Sequence, residues 1–194
     1  MNFLAHIYLS GKNEDIIIGN FIADSVKGKK YLNFPQDVQK GILLHRAIDF
    51  YTDTHPIVRQ STSRLFPKYR HFSGVIIDIF YDHFLASNWK QYSDIPLEKF
   101  ISDFYGLLEK KHALLPKPIQ RFLPYMKKEN WLLSYASKEG IGDILRQMNI
   151  RTQKKGKMDM AIFDLEDHYE EFKAEFTTFF PELITFSLNR RQQI

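Results

Sequence analysis

Apolar residues recur at three- and four-residue spacing along almost the whole chain, and two-residue alternation is short and scattered. That periodicity predicts an all-α protein and makes a sheet unnecessary. Asn2 and Asn13 sit where N-caps are expected, for helices over 3–9 and 14–27, the second ending at Gly28. A helix over 36–52 begins after Pro35 and stops before His55-Pro56, because a residue preceding proline avoids the helical region. Further helices fit 57–66, 72–90, 97–112, 118–136 (strained at Pro124), 138–149, 161–179 and 181–190. Residues 150–160, with little apolar content, read as a basic loop.

The 194 residues are enough for one globular domain with a real core. We take a metal-site core over roughly 1–90 and additional helices with the basic loop over 91–194. No linker, repeat or glycine-rich phosphate loop interrupts the pattern. The chain contains no cysteine, which excludes disulfide scaffolds, thiolate metal sites and cysteine nucleophiles and fits a reducing cytoplasm. Any metal must sit on His, Asp or Glu. No apolar run approaches the ~18–20 residues needed to span a bilayer, and no secretory signal is expected at the start.

The chemistry concentrates in the first 90 residues, where polar groups fall on helix faces that otherwise look buried. In the segment 72–90, Asp78 and Asp82 are four apart among Val75, Ile76, Ile77, Ile79, Phe80, Phe84 and Leu85. Two like charges inside an apolar helix require a cation, an arginine or protonation. In 36–52, His45 and Asp49 are four apart with Arg46 beside them. In 14–27, Asn20 and Asp24 are four apart. His6 and His83 complete the pool. Together Asp24, His45, Asp49, Asp78 and Asp82 make a nitrogen–oxygen set suited to manganese, iron, magnesium or zinc. A structural network of ion pairs and satisfied core histidines is the competing reading.

The stretches MNFLAHIYLS, GNFIADSVKG, GILLHRAIDFYTDTHP and DIFYDHFLASNW resemble, in order and spacing, the N-terminal half of bacterial acyl carrier protein phosphodiesterases. The likeness continues through NWLLSY, FDLEDHYEEF and FFPEL. It implies an all-helical relative of the HD-domain phosphohydrolases that removes 4′-phosphopantetheine from holo-acyl carrier protein, with manganese as the metal. Asp24, His45, Arg46, Asp49, Asp82 and His83 match the family's polar motifs. No His-Asp dipeptide occurs in that order, so an HD-type centre must be altered here.

On this reading the metal ligands come from Asp24, His45, Asp49, Asp78 and Asp82. Arg46 and Lys27 are candidates for pairing with the phosphate, and His83 or His6 is an acid, a base or a further ligand. The alternatives are a related metal-dependent phosphohydrolase acting on a small nucleotide or other phosphodiester, and a non-catalytic helical module that binds an acidic partner.

Charge bears on the partner. The chain has 27 Lys and Arg against 23 Asp and Glu, unevenly placed. Segments 109–128 and 146–157 are basic, Arg64, Lys68 and Arg70 form a third basic group, and 163–182 is acidic. An acidic carrier protein is expected to dock on the basic segments. Nucleic acid is not expected, because the 146–157 segment has no aromatic residue to stack on bases. The spacing of Phe163, Tyr169, Phe172, Phe176, Phe179 and Phe180 marks core rather than a tunnel for the pantetheine arm.

Overall fold

A computed structural model describes all residues 1–194 and contains helices and turns but no strand. The α-helices are α1 (Phe3–Leu9), α2 (Glu14–Ile22), α3 (Gln36–Thr54), α4 (Pro56–Tyr69), α5 (Ser73–Ser87), α6 (Leu97–Lys110), α7 (Lys117–Lys128), α8 (Trp131–Ser134), α9 (Lys138–Arg151), α10 (Ala161–Asp167) and α11 (Tyr169–Gln193). Short 3₁₀ turns cover Ala23–Ser25 and Gly28–Asn33 between α2 and α3. None of the helices is long and apolar enough to cross a membrane.

The caps are local and chemical. Asn2 Oδ1 accepts from the Phe3 amide, and Asn13 Oδ1 accepts from the amides of Asp15 and Ile16. Proline precedes α3, α6 and α7 and opens α4, since its fixed φ suits a helix entrance.

Helices α1 to α5 and α11 surround the main core. α5 is buried around most of its circumference, and the largest buried side chains are Phe80, Tyr81 and Phe84 from it and Phe172, Phe176, Phe179 and Phe180 from α11. Those four α11 residues are core, as their spacing predicts, whereas Phe163 on α10 is exposed.

The closest helix pair is α2 with α3. A Cβ added at Gly19 would lie 2.1 Å from the Val38 carbonyl oxygen, and one at Gly41 would lie 2.2 Å from that of Ile16. Only glycine lets two backbones approach so closely. That approach sets Asn20 and Asp24 against His45.

Several helix boundaries differ from the periodicity reading, three of them in ways that bear on the packing. Pro181 lies inside α11, and the break comes earlier, at His168. A proline inside a helix forfeits one hydrogen bond and costs ~3 kcal/mol, which the buried phenylalanine face of α11 outweighs. Pro124 likewise lies inside α7, and the chain turns instead at Asn130, with φ 45°. α2 stops at Ile22, five residues short of Lys27, and continues as the 3₁₀ turn Ala23–Ser25. The segment 150–160 is also more than a surface loop. Met158 is fully buried, and Asn149 ties the turn down by donating to Asp159 and accepting from the Met158 amide.

Candidate metal centre

α1 carries His6, α2 carries Asn20, the 3₁₀ turn after α2 carries Asp24, and α3 carries His45 and Asp49. The His6 and His45 rings stack with centroids 3.9 Å apart. Their Nδ1 atoms both meet Asn20 Oδ1, at 2.8 Å from His6 and 3.1 Å from His45. The orientation of that amide follows from its other end. Asn20 Nδ2 donates to the His6 carbonyl at 3.0 Å and to Ser10 Oγ at 2.8 Å, and Ser10 Oγ itself donates to the His6 carbonyl. The amide oxygen must therefore face the imidazoles, and each imidazole carries a proton on Nδ1 to donate to it. Both Nε2 atoms are then turned the other way, toward Asp49.

His6 Nε2 lies 3.1 Å from Asp49 Oδ1 and His45 Nε2 lies 3.0 Å from Asp49 Oδ2. Ligand atoms of His6, His45 and Asp49 all fall within 4.8 Å of one another. Asp24 Oδ1 approaches His45 Nε2 at 3.3 Å from the solvent side, where its side chain is 75% exposed. His6 Nε2 is buried yet completes no hydrogen bond within the chain. A buried nitrogen left with its lone pair free, beside a second nitrogen and a carboxylate, is a donor set a divalent cation satisfies. The residues fit such an ion.

The electrostatics agree. Burial would lower the His45 pKa, but hydrogen bonds to Asp24 and Asp49 outweigh it and raise the value to about 9. Burial, helped by the nearby His45, holds His6 below its ordinary value. Asp49 is resisted by burial, yet contacts with the two histidines hold it well below the carboxylate range. Asp24 is lowered by its hydrogen bond to His45. Without a metal, a proton on His45 Nε2 serves as the shared cation of the cluster.

The other expected site residues are placed elsewhere. Asp78 Oδ1 pairs with the Met1 ammonium at 2.7 Å. Asp82 is fully buried and accepts from the amides of Asn2, Leu4 and Ala5. Burial raises Asp82 to about 7, against the pull of that ammonium and those three N–H groups. The structure does not bring these two carboxylates into the cluster: they hold the entrance of α1, Asp78 against the Met1 ammonium and Asp82 against amides that the helix itself leaves unpaired. His83 is a core link, with Nδ1 donating to the Tyr135 carbonyl and Nε2 accepting from the Tyr169 hydroxyl. Arg46 Nη2 donates to the carbonyls of Val26 and Gly28, at 2.9 Å each, so it pins the turn after Asp24. Lys27, in that turn, is exposed and makes no ion pair.

Asn20 and Ser10 have no assigned chemistry in the sequence. Their only signals are a polar residue on an apolar helix and the four-residue spacing from Asn20 to Asp24.

Fold and cluster together define a class: an all-helical protein whose two imidazoles and one carboxylate converge in a donor set compatible with a divalent cation. The particular family comes from comparison. The profile of the family described as acyl carrier protein phosphodiesterase matches residues 1–183, and the chain belongs to that family. It is 33% identical over 195 residues to the acyl carrier protein phosphodiesterase of Pectobacterium atrosepticum, covering 100% of both chains. It is 34% identical over 191 residues to that of Photorhabdus laumondii, covering 98% of this chain and 96% of the relative. An Escherichia coli relative of the same name is 34% identical over 188 residues, with 95% and 96% covered. No solved structure matches the chain.

Proposed function

We propose that this protein hydrolyses the phosphodiester joining 4′-phosphopantetheine to a serine of holo-acyl carrier protein, releasing the apo-carrier and the free arm, with a divalent cation, manganese by preference, held at His6, His45 and Asp49. The observation that carries this reading is the convergence of those three donors in a chain whose relatives bear that name over their full length. Asp24 completes the donor set from the solvent side. A divalent ion supplies positive charge against the phosphoryl oxygens and makes water a better nucleophile near neutral pH.

The chain's own groups do the rest. Asn20 holds both imidazoles with Nε2 forward, so the ligands need no reorganisation when the ion arrives. Arg46 spends Nη2 on two backbone carbonyls and therefore acts by fixing the Val26–Gly28 turn rather than by gripping phosphate. Lys27, within that turn and unpaired, is the cation we assign to the substrate phosphate. The whole chain acts as one phosphodiesterase domain in the cytoplasm, which a cysteine-free composition supports, and its partner is an acidic protein rather than nucleic acid or membrane.

The test is release of 4′-phosphopantetheine from holo-carrier protein with added Mn²⁺, run beside a panel of nucleotides and small diesters. The wild type is expected to act on the carrier and to lose activity to a chelator. Asp49→Ala and His45→Ala are expected to fold and to lose at least 100-fold in rate. Wild-type turnover by either variant, or preference for a nucleotide, would overturn the assignment.

A further inference from the structure

Docking of an acidic protein needs cations that are exposed and not already neutralised, and the fold removes most of the obvious ones. Arg64 makes a two-pronged pair with the buried Glu175, at 2.9 and 2.7 Å. Lys68 pairs with Asp164. Lys110 and Lys111 reach Glu14 and Asp15 in the first turn of α2, Lys127 reaches Glu109, and Arg146 reaches Asp143. Two of the three basic regions in the sequence are thus largely spent within the chain.

Beyond single exposed cations such as Arg70, Lys117 and Arg121, two runs of three or more closely spaced cations remain unpaired. Arg151, Lys154, Lys155 and Lys157 are exposed and form no ion pair, but α9 and the turn after it pack mainly on α5, α8 and α10, not on the helices that carry the cluster. Lys27, Lys29 and Lys30 are likewise exposed and unpaired, and they directly follow Asp24. No acidic residue occurs between Asp24 and Asp37. The turn that bears these lysines is fastened to the cluster's own helix. Arg46, next to His45, holds the Val26 and Gly28 carbonyls, and its guanidinium lies 5.3 Å from the centre of the Tyr31 ring. Gly28 has φ 57°, a conformation that favours glycine. Two large apolar side chains stand free on the same elements: Leu32 is 56% exposed, and Phe50, next to Asp49, is 71% exposed.

We propose that the Lys27–Asn33 turn, with Lys29, Lys30, Leu32 and Phe50, is the docking surface for the acidic carrier protein. This rests on the functional reading above and deepens it. The lysines attract the acidic face of the partner, and Leu32 and Phe50 offer apolar contact once it has arrived. Because Arg46 ties this surface to the residue next to His45, docking here delivers the carrier's modified serine to the metal cluster.

The experiment measures binding of fluorescently labelled holo-carrier protein by anisotropy, at low salt and near 1 M salt, in parallel with Mn²⁺-supported turnover. Lys29→Glu/Lys30→Glu is expected to weaken binding at least tenfold at low salt and to converge on the wild type at high salt, where screening acts within ~3 Å. Phe50→Ser is expected to weaken binding severalfold with the salt dependence unchanged. Lys154→Glu/Lys155→Glu is expected to stay within twofold of the wild type. Lys29→Ala/Lys30→Ala, expected to weaken binding threefold or more, stands in if charge reversal impairs folding. Binding by the Lys29/Lys30 variants within twofold of the wild type, or a tenfold loss from the Lys154/Lys155 pair instead, would overturn the docking surface while leaving the hydrolase reading intact. A wild-type protein that neither binds nor cleaves the carrier would overturn both.

Discussion

Replacing Asn20 with leucine tests how the cluster is held together. The side chain is fully buried and nearly isosteric with leucine, so packing changes little while four polar contacts vanish. Two of these were accepted from His6 Nδ1 and His45 Nδ1, and a buried donor left without an acceptor costs about 1–3 kcal/mol. The fold should therefore lose roughly 2–6 kcal/mol before relaxation. Ser10 Oγ still donates to the His6 carbonyl, so the loss from the other end of the amide is small. A second effect concerns metal. With nothing to accept from Nδ1, the His6 imidazole, and that of His45 once it has given up its second proton, is free to keep its remaining proton on Nε2, the nitrogen needed for ligation, and loss of such an outer partner typically weakens metal binding 10–100-fold. Calorimetric titration with Mn²⁺ and thermal melts with and without metal read the two effects separately. A tenfold weaker site also gives up about 1.4 kcal/mol of metal-dependent stabilisation at saturating metal. Asn20→Asp, which keeps an acceptor facing both rings, should retain more metal affinity than Asn20→Leu. If Asn20→Leu binds Mn²⁺ within twofold of the wild type, the amide does not orient the ligands.

Two further outcomes follow from the same geometry. His45 has a folded-state pKa of about 9 against an ordinary 6.5, so the metal-free chain holds the associated stability in full below pH 6.5 and loses it as pH rises through 9, by roughly 3 kcal/mol. Because a bound ion displaces that proton, Mn²⁺ affinity should climb with pH, up to tenfold per unit, and level off above about 9; a flat profile between pH 6.5 and 9 in titration calorimetry would contradict the shared-proton picture. Gly41→Ala places a methyl group 2.2 Å from the Ile16 carbonyl oxygen and 2.9 Å from Gly19 Cα, backbone atoms that cannot step aside alone, so a loss of ~1–3 kcal/mol or more is expected, with a melting temperature lower by several degrees and weaker metal binding as Asn20 is pushed from His45. An unchanged melt would show that α2 and α3 separate freely.

Much of the site was legible because helix geometry is local. His45 and Asp49 share a face at any burial, whereas Asp24, expected on the second helix, reaches His45 from the 3₁₀ turn that follows it. The lack of cysteine confines ligation to imidazole and carboxylate. What did not follow was which of several equivalent carboxylates belongs to the cluster. Asp78 and Asp82 have the same spacing and the same apolar neighbours as a ligand pair, and only the arrival of the α1 entrance beside them provides the ammonium and amide groups that satisfy them. His83 is indistinguishable in sequence from His6, yet one ends between Tyr135 and Tyr169 and the other against Asp49.

Periodicity, proline and cap residues by themselves determined an all-helical chain and most of its helix entrances, because those depend on backbone preferences within a few residues. They misplaced boundaries where packing outweighed preference, as at Pro181, where a buried aromatic face carries α11 through a residue that would otherwise stop it. Composition likewise fixed the number of basic residues but not which are free. Lys68, Lys110 and Lys127 meet acids 96, 96 and 18 positions away in the chain, while Lys27, Lys29 and Lys30 meet none. Convergence of ligands and availability of charge both depend on contacts between distant segments, and only the tertiary structure decides those.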